Sequence, residues 1–359
     1  MSANTQKAAP KGAVAAIGNF DGVHRGHQAL IDKTKAVAAK TGAPVGVIVF
    51  DPHPRRFFRP DDPPFLLTTP QTRDGLLRDY GVEVIFTLKF DKALSALSPT
   101  AFVETVLRDE FAVSGVVTGP EFRFGAARAG DVATLREAGA AAGIEAHVVD
   151  TLTDMSIGAQ SAAAADNKAD NNIADNNIAD DCNADDDNAD DEKARARDEK
   201  IGSSLVRAAL RDGDAARAAA LLGRCWSVSG VVEEGQKLGR TIGFATANIT
   251  LGPLIEPRYG VYCVTVKTPD GRYNGVANFG RRPTVGAPAP LLEAHLFDFS
   301  GDLYGREITV SFAHFIRPEM KFDGIDALKA QIAKDSDTAR RFFFHKPKLT
   351  EAFHDRPNR

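Results

Sequence analysis

Three cysteines, three methionines and one tryptophan are all that this 359-residue chain carries of those types. Cys182, Cys225 and Cys263 have no metal-ligand spacing and make an odd count. That excludes a thiolate metal site and a disulfide framework, and it predicts free thiols in a reducing compartment. No apolar run approaches the roughly 18 residues of a membrane span. The first stretch, MSANTQKAAPKGA, lacks the apolar core of a secretion signal. A cytoplasmic location without membrane partners is therefore expected. The net charge of −4 gives no pull toward nucleic acid, and no basic stripe with interleaved aromatics appears. Small molecules are the expected partners, with self-association left open. The length predicts two domains.

What is present begins with Ala13 to Ile17, a short apolar run that reads as a buried strand. Gly18-Asn19-Phe20-Asp21-Gly22 follows, its glycines suited to a tight turn and a close ligand approach. His24 and His27 come next, spaced H-x-x-H with Gly26 between them. Helix formers then run from Gln28 to Ala39. Strand, turn and helix start make an anion site, because the first helical turn has unpaired N–H groups and partial positive charge. Two imidazoles there add donors for phosphate oxygens as charge builds on an attacked phosphorus. The plainer alternative is a turn with two solvent-exposed histidines.

The run Pro44 to Phe50 predicts a second buried strand, ending in Asp51-Pro52-His53-Pro54. A polar turn at a strand's carboxyl end suits a ligand, and two prolines would pre-set His53; a rigid structural turn is the alternative. Helices are expected over 69–80 and from Ser98-Pro99, with strands over 82–88 and 113–118. The last strand leads into Gly119-Pro120-Glu121-Phe122-Arg123-Phe124-Gly125. Arg123 fits an anionic ligand there, or a surface salt bridge. Four or five strands alternating with helices from 13 to 150 call for a parallel sheet covered on both faces.

From about 154 to 200 the composition breaks into ADNNIADNNIADDCNADDDNADD and similar text. Disorder is expected, since so few apolar residues cannot offset the ordering entropy. A calcium loop is the rival reading, but no D-x-D-x-D-G pattern with its closing Glu occurs. Ser203 and Ser204 then open a helix containing Arg207, read as a serine cap with a cation nearby. From Trp226 the pattern turns to short alternating segments, such as Ser227 to Val232, Val261 to Val266, Leu292 to Phe297 and Ile308 to Phe312. About six such strands suggest a small antiparallel β-barrel, closed by a helix over 323–343. The domains expected are a flexible 1–12, an α/β domain over 13–215 interrupted by the insert, a β domain over 216–345 and a tail over 346–359.

Three strings carry a family resemblance. GNFDGVHRGHQ and FDPHP resemble the nucleotide-binding signatures of the bacterial bifunctional riboflavin kinase/FMN adenylyltransferases. Gly239-Arg240-Thr241-Ile242-Gly243-Phe244-Ala245-Thr246-Ala247-Asn248, which reads as a polar loop, resembles the riboflavin kinase signature, with Ala245 where the family has proline. Gly202 and Ser204 are further departures, in a string where the family has Ser-Ser-Thr. The resemblance implies a Rossmann-like nucleotidyltransferase sheet followed by a riboflavin kinase-like barrel. It places Gly18, Asn19, Phe20, Asp21, Gly22, His53, Arg123, Ser203 and Ser204 at ATP and flavin, and makes His24, His27 and Arg207 catalytic in adenylyl transfer. In the kinase it implies Gly239, Arg240, Gly243, Asn278 and Arg317 as binding residues. Thr246 and Asn248 would hold Mg²⁺ with ATP, and Glu293 would be general base for the riboflavin 5′-hydroxyl. ATP, riboflavin, FMN and FAD are the implied substrates and products, in FMN and FAD biosynthesis. The alternatives are a chain with one working module, or a flavin-nucleotide-binding regulator without turnover.

Overall fold

The first strand, β1 (Val14–Ile17), is buried along its whole length. Its side chains alternate between two separate cores. Ala15 and Ile17 face one core with Phe102, Leu107 and Leu135, whereas Val14 and Ala16 face another with Ile31, Val37 and Leu77. A strand that is apolar on both sides is what a parallel sheet with helices on both faces requires. Residues 11–153, 199–234, 246–281 and 290–346 are described by this computed structural model. The acidic insert, Cys182, Gly239, Arg240, Gly243 and Ala245 lie outside the described residues.

After β1 come α1 (Arg25–Thr41), β2 (Val45–Asp51), α2 (Pro54–Phe58), α3 (Pro70–Asp79) and β3 (Val84–Lys89). Two short helices, α4 (Lys92–Ser95) and α5 (Pro99–Ala101), lead into a π-helical stretch, Phe102–Glu110. β4 (Gly115–Thr118), α6 (Val132–Ala142) and β5 (Glu145–Val148) complete the unit. The sheet is parallel in the order β3-β2-β1-β4-β5. Strand order reverses between β1 and β4, and the crevice beyond their carboxyl ends is the ligand position in such sheets. The turn Gly18–Gly22 lies there.

Helices α7 (Ser203–Asp212) and α8 (Ala215–Leu222) link this sheet to a second one. Its strands are β6 (Trp226–Val231), β7 (Ala247–Thr250), β8 (Gly260–Thr268), β9 (Gly271–Arg281), β10 (Pro290–Leu296) and β11 (Glu307–Arg317). They form an antiparallel sheet in the order β6-β11-β8-β9-β10-β7. A bridge between Glu233 and Asn248 nearly closes it into a barrel. The last helix, α9 (Ile325–His345), packs Ala339 and Phe343 on the outer face of that barrel against Val261, Cys263 and Val276.

The two units share a core. Leu67 of the first joins α7, α8 and the barrel interior, including Trp226, Tyr262 and Phe312. The Trp226 indole donates to the Leu67 carbonyl at 2.8 Å.

Two expectations need correction. The segment through Asn248 reads as a polar loop, but Asn248 is in strand β7, where Ala247 and Ile249 are buried on either side of it. Helix α7 is not capped by a serine: Gly202 is its N-cap and makes no side-chain bond.

Candidate active sites

The turn after β1 is built on unusual backbone. Phe20, Gly22 and Val23 all have positive φ, at 51°, 83° and 43°. Gly22 cannot be replaced cheaply, because an added Cβ would lie 2.8 Å from Leu67 Cδ1. The strain is held by neighbours. Gly22 N–H donates to Thr68 Oγ1 at 3.0 Å, and Asp21 Oδ1 accepts from the amides of Leu67 and Thr68 at 2.8 and 3.1 Å. From the far side Arg224 Nη2 donates to the Gly22 carbonyl at 2.7 Å.

His24 is the N-cap of α1, so the helix starts three residues earlier than its apolar pattern shows. It is buried rather than solvent-exposed. Its Nδ1 accepts from the His27 amide at 3.3 Å, and the two rings stack at 3.7 Å. An acceptor at Nδ1 puts the proton of the neutral ring on Nε2, as a donor. Burial, reinforced by Arg207, Arg224 and Lys200, pushes the His24 pKa down to about 3. Burial likewise pushes His27 well below the usual histidine range. A Cβ at Gly26 would lie 3.2 Å from the His24 ring and from the Ile201 carbonyl, a tight approach.

Three buried polar atoms at this crevice have no hydrogen-bond partner among the described residues: Asn19 Oδ1, His27 Nδ1 and Thr118 Oγ1. Asn19 follows β1, Thr118 ends β4 and His27 is in the first turn of α1. Each such atom costs about 1–3 kcal/mol when left unmet, so their convergence marks a place where a polar ligand fits.

Arg207 is committed within the protein. Its Nη2 donates to Asp21 Oδ2 at 2.5 Å and its Nε to the Phe65 carbonyl at 2.7 Å. Burial raises the Asp21 carboxyl, opposed by the guanidinium and the two amides. Ser203 donates to the Asp21 carbonyl at 2.9 Å, whereas Ser204 is exposed at the open end of α7. Through these contacts Arg207 clamps α7 to the turn.

Beside the turn is a cleft of about 140 Å³ lined by Asn19, Asp21, His53, Arg56 and Arg73. His53 caps α2 through Nδ1, which accepts from the Arg55 amide at 3.1 Å. Burial and the surrounding arginines push it down to about 4. Its ring meets Phe65 edge-on, and the guanidinium of Arg55 covers the same phenylalanine at 4.5 Å. Arg123 instead pairs with Asp131 at 3.5 Å, and Glu121 pairs with Lys200.

In the barrel, register brings separate signatures together. Glu293 on β10 lies directly opposite Asn248 on β7 and Asn278 on β9. Cross-strand partners project to one face, so the three form a row. Leu292, Ala294 and Leu296 alternate with it into the barrel core. Thr246 precedes β7 by one residue. Arg317 is not part of this row. It forms a paired contact with buried Asp335 of α9, Nε to Oδ1 at 3.0 Å and Nη2 to Oδ2 at 2.7 Å. It ties the last helix to β11.

Comparison with known proteins gives the same two halves. The FAD synthetase family profile matches residues 6–163 and the riboflavin kinase profile matches residues 222–343. The bifunctional riboflavin kinase/FMN adenylyltransferase of Escherichia coli strain K12 is 36% identical over 341 residues, covering 95% of this chain and 96% of that one. The Bacillus subtilis enzyme of the same name is 34% identical over 335 residues, with 92% of each chain covered. The chain belongs to the bifunctional riboflavin kinase/FMN adenylyltransferase family. It carries both transferase domains of FMN and FAD biosynthesis. A solved Streptococcus pneumoniae structure titled as a macrolide-efflux protein superposes with a TM-score of 0.75 at 26% identity, over 92% of this chain and 95% of that one. No helix among the described residues is long and apolar enough to cross a membrane.

Within this family fold, several residues at the sites carry no sequence signal. Thr68 and Arg224 act on the turn from 46 and 202 residues away. Thr118 is hidden in an apolar strand. Arg55, Arg56 and Arg73 read only as surface cations until Phe65 gathers two of them.

Proposed function

We propose that the chain uses two molecules of ATP at two separate sites. In the barrel, the riboflavin 5′-oxygen attacks the γ-phosphorus, Glu293 takes the hydroxyl proton, and ADP leaves with FMN as product. At the sheet crevice, an FMN phosphate oxygen attacks the α-phosphorus of ATP and pyrophosphate leaves, giving FAD. The second step needs no protein nucleophile and no proton at the attacking oxygen. It needs charge neutralisation, and the N-terminus of α1 and the Nε2–H of His24 supply donors for it. The neutral imidazoles serve as donors without repelling one another.

The observation that carries this reading is the row Asn248, Glu293, Asn278 in one chain with the His24-His27 helix tip. The barrel row also suits a divalent cation. Asn248 and Thr246 offer hard oxygens, and no cluster of three or more His, Cys, Asp or Glu that could hold a metal exists among the described residues. Mg²⁺ fits that set, since it prefers a few protein oxygens together with phosphates and water. Bound there with ATP, it would neutralise charge on the transferring phosphoryl group. We further propose that the chain divides near residue 215, with the α/β domain before it and the barrel after it.

The test is an incubation of the purified chain with riboflavin, ATP and Mg²⁺, followed by separation of the flavins. FMN should appear first and FAD after it, with one pyrophosphate per FAD. FMN without FAD would overturn the adenylyl-transfer assignment. FAD from added FMN alone would overturn the kinase assignment. Flavin binding with no ATP consumption would favour a regulator.

A further inference from the structure

Helix α3 does not pack tightly on the outer face of the barrel. Between them is a cavity of about 190 Å³, and its barrel wall is a ladder of hydroxyls. Ser227 and Ser229 of β6 stand opposite Ser311 and Thr309 of β11, and Ser311 stands opposite Thr265 of β8. These residues alternate with the buried Trp226, Val228, Val310, Phe312 and Val264, so the hydroxyls face away from the core and into the seam. Ser229 and Thr309 share a hydrogen bond of 2.8 Å.

The seam is cationic as well. Lys267 stands opposite Arg272 across β8 and β9, and both line the cavity together with Arg224. Among the described residues, Asp79 of α3 is the only carboxylate in its lining. Among the described residues, no carboxylate pairs with Lys267. Hydroxyls that donate, set among three cations and one carboxylate, select an oxyanion over a neutral or cationic molecule. On the α3 side Gly75 leaves open space, since an added Cβ would meet nothing within 4 Å.

We propose that this seam is a binding site for a small phosphate-type anion, distinct from both candidate ATP sites. It lies against the nucleotide turn through a single side chain. Arg224 lines the seam while its guanidinium donates to the carbonyls of Gly22 and Val23. An anion there shares that guanidinium with the turn. Free inorganic phosphate and a phosphate ester present the same chemistry, and the test separates them.

Orthophosphate, pyrophosphate and AMP are titrated calorimetrically into the full chain, with FAD, FMN and ADP present at saturation. The same titrations are run on the Lys267→Gln/Arg272→Gln double variant and on Gly75→Glu. Gly75→Glu adds a carboxylate in open space and removes no contact, so it does not depend on the double variant folding. The site predicts binding of at least one probe to the wild type, weakened tenfold or more in both variants, with riboflavin phosphorylation rates unchanged. Binding of the inorganic anions alone identifies a free phosphate site, and binding of AMP an ester site. Absence of binding by all three, or binding that Gly75→Glu leaves intact, overturns the proposal.

Discussion

The two candidate sites are built in opposite ways. At the sheet crevice one contiguous stretch, Gly18 to His27, supplies the turn, the cap and both imidazoles. Remote residues then hold that stretch in a strained shape: Thr68, Arg207 and Arg224 all bind its backbone or Asp21. In the barrel the site is assembled by strand register from three separate segments. The first arrangement depends on clamps distant in sequence. The second depends on hydrogen-bonded pairing, which fixes which side chains share a face. A mutation far from the chemistry should therefore damage the crevice more than the barrel.

The largest expected effect is in the barrel itself. Glu293→Gln should lower riboflavin phosphorylation by about 10²–10⁴-fold, the usual worth of a general base, and leave adenylyl transfer to added FMN unchanged. Flavin chromatography reads both. In the crevice, His27→Ala should slow FAD formation by about 10²–10³-fold and let FMN accumulate.

The clamp comes next. Asp21→Asn leaves Arg207 without its partner in a site where both side chains are largely buried. Breaking such a pair costs about 3–5 kcal/mol, read as a lower denaturant midpoint. A loss below 1 kcal/mol would mean that the clamp is not what holds the turn. Gly22→Ala tests the same turn more mildly. Its positive φ and the Leu67 contact predict a loss of more than about 1 kcal/mol, with adenylyl transfer affected and phosphorylation spared.

The smallest effect is on pH. The folded pKa of His24, about 3, lies below its unfolded value near 6.5. Its contribution to stability is therefore fully present above about pH 6.5. It is lost as pH falls toward 3, because only the unfolded chain takes up the proton. The loss should reach about 0.8 kcal/mol by pH 6. His24→Gln should flatten that slope in urea titrations between pH 5 and 7.

What was legible in the sequence follows the same division. The glycine turn, the alternation of strand and helix, and strands β6, β8, β10 and β11 of the barrel all announce themselves through local pattern. Strand β9 does not, because Gly271 to Arg281 mixes polar and glycine residues whose pairing is set by β8 and β10. Asn248 reads as loop for the same reason: a polar residue in a short edge strand has no periodicity to betray it. Arg207 is expected at phosphates and Arg317 at ATP or flavin, since an arginine's charge is visible in a sequence and its partner is not. Asp21 and Asp335 occupy them, 186 and 18 residues away.

The claim of two separate sites has a direct test. Glu293→Gln and His27→Ala proteins are each incubated with riboflavin, ATP and Mg²⁺, alone and mixed. Separate sites predict little FAD from either variant alone and near wild-type FAD from the mixture, because the FMN released by one is adenylylated by the other. A mixture no better than its components would contradict the account, as would a single variant that loses both reactions.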